Sequence, residues 1–390
     1  MKIADTYRLD TRFDSAGLMH PVFSGEISLE ESVMFLDQGE ERTLLYPIER
    51  VLSVTSHDQK ETYEEGKDYA VVNGKLKVLP SSRIPCITSE RYYNHAGSIL
   101  TTLHEGKEVP TYWGQDVMAP YQVDVTYTHT SPWTGFVQES YAHAFEKFLS
   151  KLEAGQDVTV FFYGDSITNG ANASFLANMP PYQGTYSMLF TEALATHFGY
   201  TVRYVKSELK STPPVPTEDF AGGTRGTITY INTAVGGWSS RDGLKNADAY
   251  VKDTVSRFGC DLFVVAYGMN DRTLAPEETA SNQKTVVDAV RALAPDTATV
   301  FMATMVPNPD GIGWYGNQDR QEAVLLAMAE KERALGAECA VCRMTSTSLA
   351  VLQRKGFRDY AGNNINHPND YFSRVYAQTL LQTVTGLLYP

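Results

Sequence analysis

The run Val158-Thr-Val-Phe-Phe-Tyr-Gly164, followed at once by Asp165-Ser166-Ile167-Thr168, constrains the fold more than any other stretch. Unbroken β-branched and aromatic residues leave no polar face. Such a run predicts a strand buried on both sides, as in a parallel sheet covered by helices. Open α/β sheets place their ligands at the carboxyl ends of these strands. Ser166 is therefore expected above the sheet, next to backbone N–H groups of a helix start that favour negative charge. A nucleophilic hydroxyl is presented in this way. The spacing is not Gly-x-Ser-x-Gly, because Thr168 stands where the second glycine belongs.

Residues 1–135 read as β-rich. Short alternating stretches recur, among them Ser32-Val-Met-Phe-Leu36, Thr43-Leu-Leu-Tyr46, Arg50-Val-Leu-Ser-Val54 and Tyr69 to Leu79. The last contains Asn73-Gly74 between apolar runs, a two-residue hairpin signal. Closely spaced strands of this kind predict a β-sandwich, jelly-roll-like module. Ser131-Pro-Trp-Thr-Gly135 marks a boundary, and apolar residues at helical spacing predict a linker helix over 138–153. From there to residue 390 strands and helices alternate. Strands are expected at 200–205, 227–235, 261–267, 299–306 and 338–344. Helices are expected near 241–257, 277–294, 317–335 and 370–388, and a Pro- and Gly-rich insertion covers 211–226. This is the pattern of a three-layer α/β/α domain with a parallel sheet.

Several strand ends carry unusual polar residues. Gly164-Asp-Ser166, Gly236-Gly237, Gly268-Met-Asn-Asp271 and Asn364-Ile-Asn-His367 occur in that chain order. Together they resemble the four sequence blocks of the SGNH (GDSL-type) hydrolases, over roughly residues 157–388. The resemblance implies a flavodoxin-like α/β/α domain and an esterase working through an acyl-serine. It leaves the N-terminal third unexplained.

The chemistry can be argued beside the resemblance. Ester cleavage by Ser166 needs a base for the hydroxyl proton and donors for the oxyanion. Of the histidines in this half, His143 and His197 fall in predicted helices, whereas His367 sits in a polar loop before the last helix. His367 is the expected base. The expected oxyanion donors are the backbone N–H of Ser166, the backbone N–H of Gly237 (or Gly236) and the side-chain amide of Asn270. Asp271 reads as a cap or loop anchor. One departure matters: the family's last block is Asp-x-x-His, and here the acid's place is held by Asn364. An acid there fixes the imidazole tautomer, and its loss in the serine proteases costs about 10⁴. Three readings stay open at this point. The Asn364 oxygen or a backbone carbonyl accepts from the ring; Asp359 or Asp370 substitutes; or activity is weak.

Asp165, Trp238 and Trp314 are candidate substrate-binding residues, the tryptophans against a plain packing role. Cys339-Ala-Val-Cys342 has metal-site spacing but no companion ligands, so it reads as buried thiols. No metal or organic cofactor is required. A formal net charge of −13 argues against nucleic acid or anionic membrane as partner. The first residues hold no apolar leader and no run reaches bilayer length, so a cytoplasmic protein is expected, with self-association left open. The expected substrate is a small-molecule or oligosaccharide ester, most simply an acetylated sugar, because a β-rich module on such a hydrolase domain is common in carbohydrate esterases. The alternatives are a lipid or thioester acyl hydrolase, or a carbohydrate-binding protein whose hydrolase site has decayed.

Overall fold

Short alternating runs form small antiparallel sheets before the long sheet begins. The computed structural model describes residues 19–114 and 118–387. The opening residues and residues 388–390 lie outside the described residues; the last helix, expected over 370–388, ends at Thr385, capped by Gly386 at φ 72°. In chain order come β1 (Ile27–Met34), β2 (Glu41–Arg42), β3 (Arg50–Ser56), β4 (Tyr69–Val72), β5 (Lys75–Val78), β6 (Thr101–His104), β7 (Lys107–Pro110) and β8 (Gln122–Thr128). They form two three-stranded sheets, β1-β8-β3 and β2-β5-β4, and the hairpin β6-β7. All of these pairings are antiparallel. Asn73 and Gly74 turn the β4–β5 hairpin with φ of 51° and 73°, the left-handed conformation a two-residue turn requires. Thr43–Tyr46 forms no strand; Leu45 instead donates its N–H to Glu31 Oε1 at 2.8 Å.

The second part is built on β9 (Val158–Gly164). With it run β10 (Thr201–Val205), β11 (Phe220–Ala221), β12 (Thr227–Asn232), β13 (Leu262–Ala266), β14 (Ala298–Ala303) and β15 (Cys339–Arg343). The sheet order is β11-β10-β12-β9-β13-β14-β15, parallel except for β11. Setting aside β10 and β11, which extend one edge, the remaining strands run 2-1-3-4-5, the flavodoxin-like order. Every residue of β9 is buried. Val158, Val160 and Phe162 enter the core that holds the helices Tyr186–Phe198 and Asp370–Thr385. Phe161 and Tyr163 enter the opposite core, against Val251, Val286 and Leu325. Side-chain alternation along one strand thus yields three layers.

Two expected helices differ. The linker helix is confined to Glu146–Glu153, after a 3₁₀ turn at Ala142–Ala144. Upstream of it Tyr141 donates its N–H to Thr383 O at 2.9 Å, so that backbone serves tertiary contacts instead of a helical ladder. The helix near 241–257 is broken into Ser240–Lys245, a π turn Asp248–Lys252 and Asp253–Phe258. A further helix, Met344–Leu352, carried no clear periodic signal. Cys339 and Cys342 are buried free thiols. Among the described residues no helix is long and apolar enough to cross a membrane.

The N-terminal sheets and the α/β part share one apolar core, in which Val33, Val125 and Tyr127 join Phe148, Val160 and Tyr376. Buried charge also crosses between them. The register of β1 slips between Ser28 and Glu31, a bulge that re-aims a side chain. Glu31 meets Lys355 Nζ at 2.5 Å, with both side chains fully buried. Glu31 also accepts from Tyr127 at 2.7 Å. Asp359 Oδ2 takes Arg42 at 2.6 Å. His57 lies between Asp124 (3.6 Å) and Asp370 (3.3 Å). Burial opposes charging this imidazole, but the two carboxylates outweigh burial and push its pKa up to about 10.

Removing one member of a fully buried pair leaves an uncompensated charge, at about 3–5 kcal/mol. Lys355→Met should therefore lower stability by about that much in urea titrations. Near- and far-ultraviolet circular dichroism should still report one shared transition, because one core spans both parts. Separate transitions would contradict that core. For His57, an unfolded imidazole titrates near 6.5. Its stabilising contribution is complete below that pH and is lost as pH rises through about 10. The stability gap between the parent and His57→Asn should accordingly shrink between pH 7 and 10, measured by thermal denaturation.

Candidate active site

Where β9 ends, Gly164 has no room for a side chain: a Cβ there would lie 2.5 Å from Ala266 O and 2.6 Å from Thr168 Oγ1. This close packing drives the chain straight into a single helical turn, Ser166–Asn169, closed by Gly170 at φ 98°. Asp165 caps that turn, its Oδ1 accepting from the Ile167 N–H at 3.0 Å. Asn232, at the end of β12, donates to Thr168 O at 2.8 Å, and Asn169 donates to Ala234 O at 2.8 Å. The turn that carries Ser166 is thus tied twice to the end of β12.

His367 reaches this turn from a long way down the chain. Its Nε2 lies 2.8 Å from Ser166 Oγ, and Ser166 is 8% exposed. Burial pushes the imidazole pKa down to about 4, which keeps the ring neutral and able to accept a proton. On the far side, Nδ1 lies 2.7 Å from Asn172 Oδ1 and 3.0 Å from Asn363 Nδ2. Asn172 and Asn363 were not singled out in the sequence. A polar Asn after the Gly170 turn was visible, but nothing in the sequence pairs positions so far apart.

The expected partners of Nδ1 lie elsewhere. Asn364, at φ 60°, directs its amide to Thr111 O at 3.4 Å, while its backbone carbonyl accepts from Asn308 at 2.8 Å. The left-handed backbone at Asn364 turns the side chain toward the N-terminal part instead of the ring. Asp359 accepts from Arg42 and from the Met34 N–H at 3.0 Å. Asp370 accepts from the Ser174 N–H at 2.8 Å and faces His57.

Gly236 adjoins Ser166: a Cβ built on it would sit 3.8 Å from Ser166 Cβ. Gly236 and Gly237 are both exposed. Gly237 has φ 81° with nothing within 4 Å of its Cβ position, so the turn borders open space and needs glycine's conformational freedom. Asn270 donates one amide proton to Trp238 O at 2.9 Å, which anchors it to this same turn. Asp271 is fully buried and accepts from the Ser240 N–H at 2.9 Å, an anchoring role.

Asp165 is not available to substrate. It is 2% exposed and caps the Ser166 turn, and burial, with help from Asp271, raises its pKa to about 7. Trp238 is half-buried and packs edge-on against Tyr163 and Tyr250, with centroids 6.4 and 4.8 Å away. Trp314 is half-buried too, with the Arg272 guanidinium 4.4 Å from its ring centroid. Its loop is joined to β6 by Ile312 N–H to Thr101 O at 3.1 Å.

Three kinds of comparison bear on this geometry. No curated protein matches the chain. Solved structures of similar proteins include a two-domain esterase active on acetylated mannans, at 18% identity and TM-score 0.42, covering 66% of this chain and 57% of that one. They include an acetyl xylan esterase at 15% identity and TM-score 0.40, covering 57% and 98%. A Clostridium thermocellum family 3 carbohydrate esterase is similar at 14% identity and TM-score 0.40, covering 60% and 98%. The model of the GDSL-like lipase/acylhydrolase family matches residues 162–374, more than half of the chain and every polar strand end described above. The chain belongs to the GDSL-like lipase/acylhydrolase family.

Proposed function

We propose that this protein is a serine esterase that removes short acyl groups, acetyl above all, from carbohydrates. The observation that carries the proposal is the 2.8 Å approach of His367 Nε2 to Ser166 Oγ, beside an exposed glycine turn. Ser166 Oγ attacks the ester carbonyl while its proton passes to Nε2. The oxyanion is held by the N–H groups of Ser166 and Gly237 and by the second amide proton of Asn270. The imidazolium then protonates the leaving alcohol. A water, deprotonated by the same ring, hydrolyses the acyl-serine.

The short acyl group is supported by the exposed Gly236-Gly237 turn that adjoins Ser166 and by Asn270, which is anchored to that turn through Trp238 O. The apolar groove formed by Val22, Phe23, Val137, Leu381 and Leu387 includes neither Ser166 nor His367. A net charge of −13 supports a substrate in solution over an anionic membrane or nucleic acid.

Hydrolysis of p-nitrophenyl acetate and acetate release from peracetylated xylose test the proposal. Ser166→Ala should lower turnover by about 10³ or more, and Asn270→Ala by about 10²–10³, the usual cost of one oxyanion donor. A preference for long acyl chains would point to a lipid substrate, and a parent protein without turnover would leave a binding module.

A further inference from the structure

We propose that Asn172, and not the residue at the family's acid position, is the positioning residue that holds His367 in its working tautomer. The inference rests on the Ser166–His367 reading above. Three observations carry it.

The first is the fixed direction of two amides. Asn172 Nδ2 donates to Gly362 O at 2.9 Å, so Oδ1 is the atom that faces Nδ1 at 2.7 Å. Asn363 is fixed the opposite way. Its Oδ1 accepts from the backbone N–H groups of Ile365, Asn366 and His367 at 3.0, 2.9 and 3.1 Å. Its Nδ2 donates to Asn366 Oδ1 at 2.9 Å and stands 3.0 Å from Nδ1. The ring nitrogen thus sees one acceptor and one donor. With the proton on Nδ1 and donated to Asn172, Nε2 is left bare to accept the Ser166 hydroxyl proton. With the proton on Nε2 the ring accepts from Asn363 and cannot act as the base. The shorter Asn172 contact selects the first arrangement.

The second is the space made for Asn172. A Cβ at Gly362 would lie 2.4 Å from Asn172 Cβ and 3.0 Å from its Cγ. The glycine is what lets Asn172 lie against the His loop. Asn172 itself has φ 68°, a conformation asparagine and aspartate tolerate better than other non-glycine residues.

The third is the absence of a charged rival among the described residues around the ring. Asp165, beside Ser166, turns to the N–H groups of Ile167 and Met269. Asp370, at the start of the last helix, turns to Ser174 and His57. Asp124 faces His57, and Asp359 binds Arg42. Burial is the one cause acting on His367, so its partner is neutral. A carboxylate at 172 would stabilise the imidazolium, whereas one at 364 would not reach it.

The test compares Asn172→Ala, Asn172→Asp and Asn364→Asp with the parent, in two readouts. In pH profiles of kcat/KM on p-nitrophenyl acetate, Asn172→Ala should lose up to about 10⁴-fold, the scale of a lost orienting partner of a catalytic histidine. Asn172→Asp should move the acidic limb up by about one unit or more, the usual effect of an adjacent opposite charge. Asn364→Asp should leave the limb where it is. The ring carbon signals of isotope-labelled histidine, with His367 assigned through His367→Gln, should show the same shifts without relying on turnover. Equal limbs and midpoints for Asn172→Asp and the parent, or a shift in Asn364→Asp instead, would overturn the inference. Labelling of Ser166 by a fluorophosphonate separates the failures. If the parent is labelled and Asn172→Ala matches it in rate and limb, only the role of Asn172 is lost. If the parent is neither labelled nor active, the esterase reading falls, and the histidine midpoints still decide whether position 172 governs the ring.

Discussion

A buried loop without regular structure must satisfy its own backbone polar groups, and this protein's candidate base sits on one. The segment 359–366 is buried throughout, so each N–H and C=O left without a helix or sheet partner needs another. Asparagine supplies both a donor and an acceptor, and the loop is dense with it. Asn363 takes three loop N–H groups on one oxygen, Asn308 holds the carbonyl of Asn364, and Asn369 caps the final helix through the Phe372 N–H. His367 stands where it does because that network leaves the loop few other conformations.

The N-terminal part belongs to the same network. Gln122, on β8, donates to Ala361 O at 2.8 Å and Arg358 O at 3.0 Å, and Asn369 donates back to Gln122 and Ser32 at 3.1 and 2.8 Å. Trp113 N–H reaches Asn363 O at 3.4 Å. With the Lys355–Glu31 and Arg42–Asp359 pairs, these contacts make the β-rich third the back wall of the His loop. Buried charge of this kind contributes little net stability and fixes one arrangement over others. A loop that must present an imidazole within hydrogen-bond reach of a hydroxyl gains from that specificity.

The electrostatics around the two halves of the site differ. On the Ser166 side a carboxyl, Asp165, is buried as a cap with a raised pKa. On the base side the ring's partners are neutral amides, and desolvation holds its pKa low. A base kept neutral by burial stays available at acid pH, but it gains no charge stabilisation when it becomes imidazolium. On the proposed esterase reading, rate would then come from geometry and from the oxyanion donors.

The polar strand ends, the parallel sheet and its three layers were legible because local period and composition fix them. Six β-branched and aromatic residues ahead of Gly164 have only one kind of place to go, and Asn73-Gly74 has only one turn to make. Ser166, His367 and the glycine turn could be read as candidates from residue type and position on a strand end or loop. The acceptor behind His367 could not. Asn364 stands at the expected spacing, yet its left-handed backbone sends its side chain toward Thr111, and Asn172 fills the place across nearly two hundred residues. Asp165 looked like a site residue and is a cap, and the helix expected from 138 starts only at 146. The sequence by itself determined the strands of the parallel sheet and the Asn73-Gly74 turn, because those follow from neighbours a few residues apart. Only the tertiary structure decided which amide faces the imidazole, because that depends on how two loops without regular structure pack and satisfy each other's polar groups.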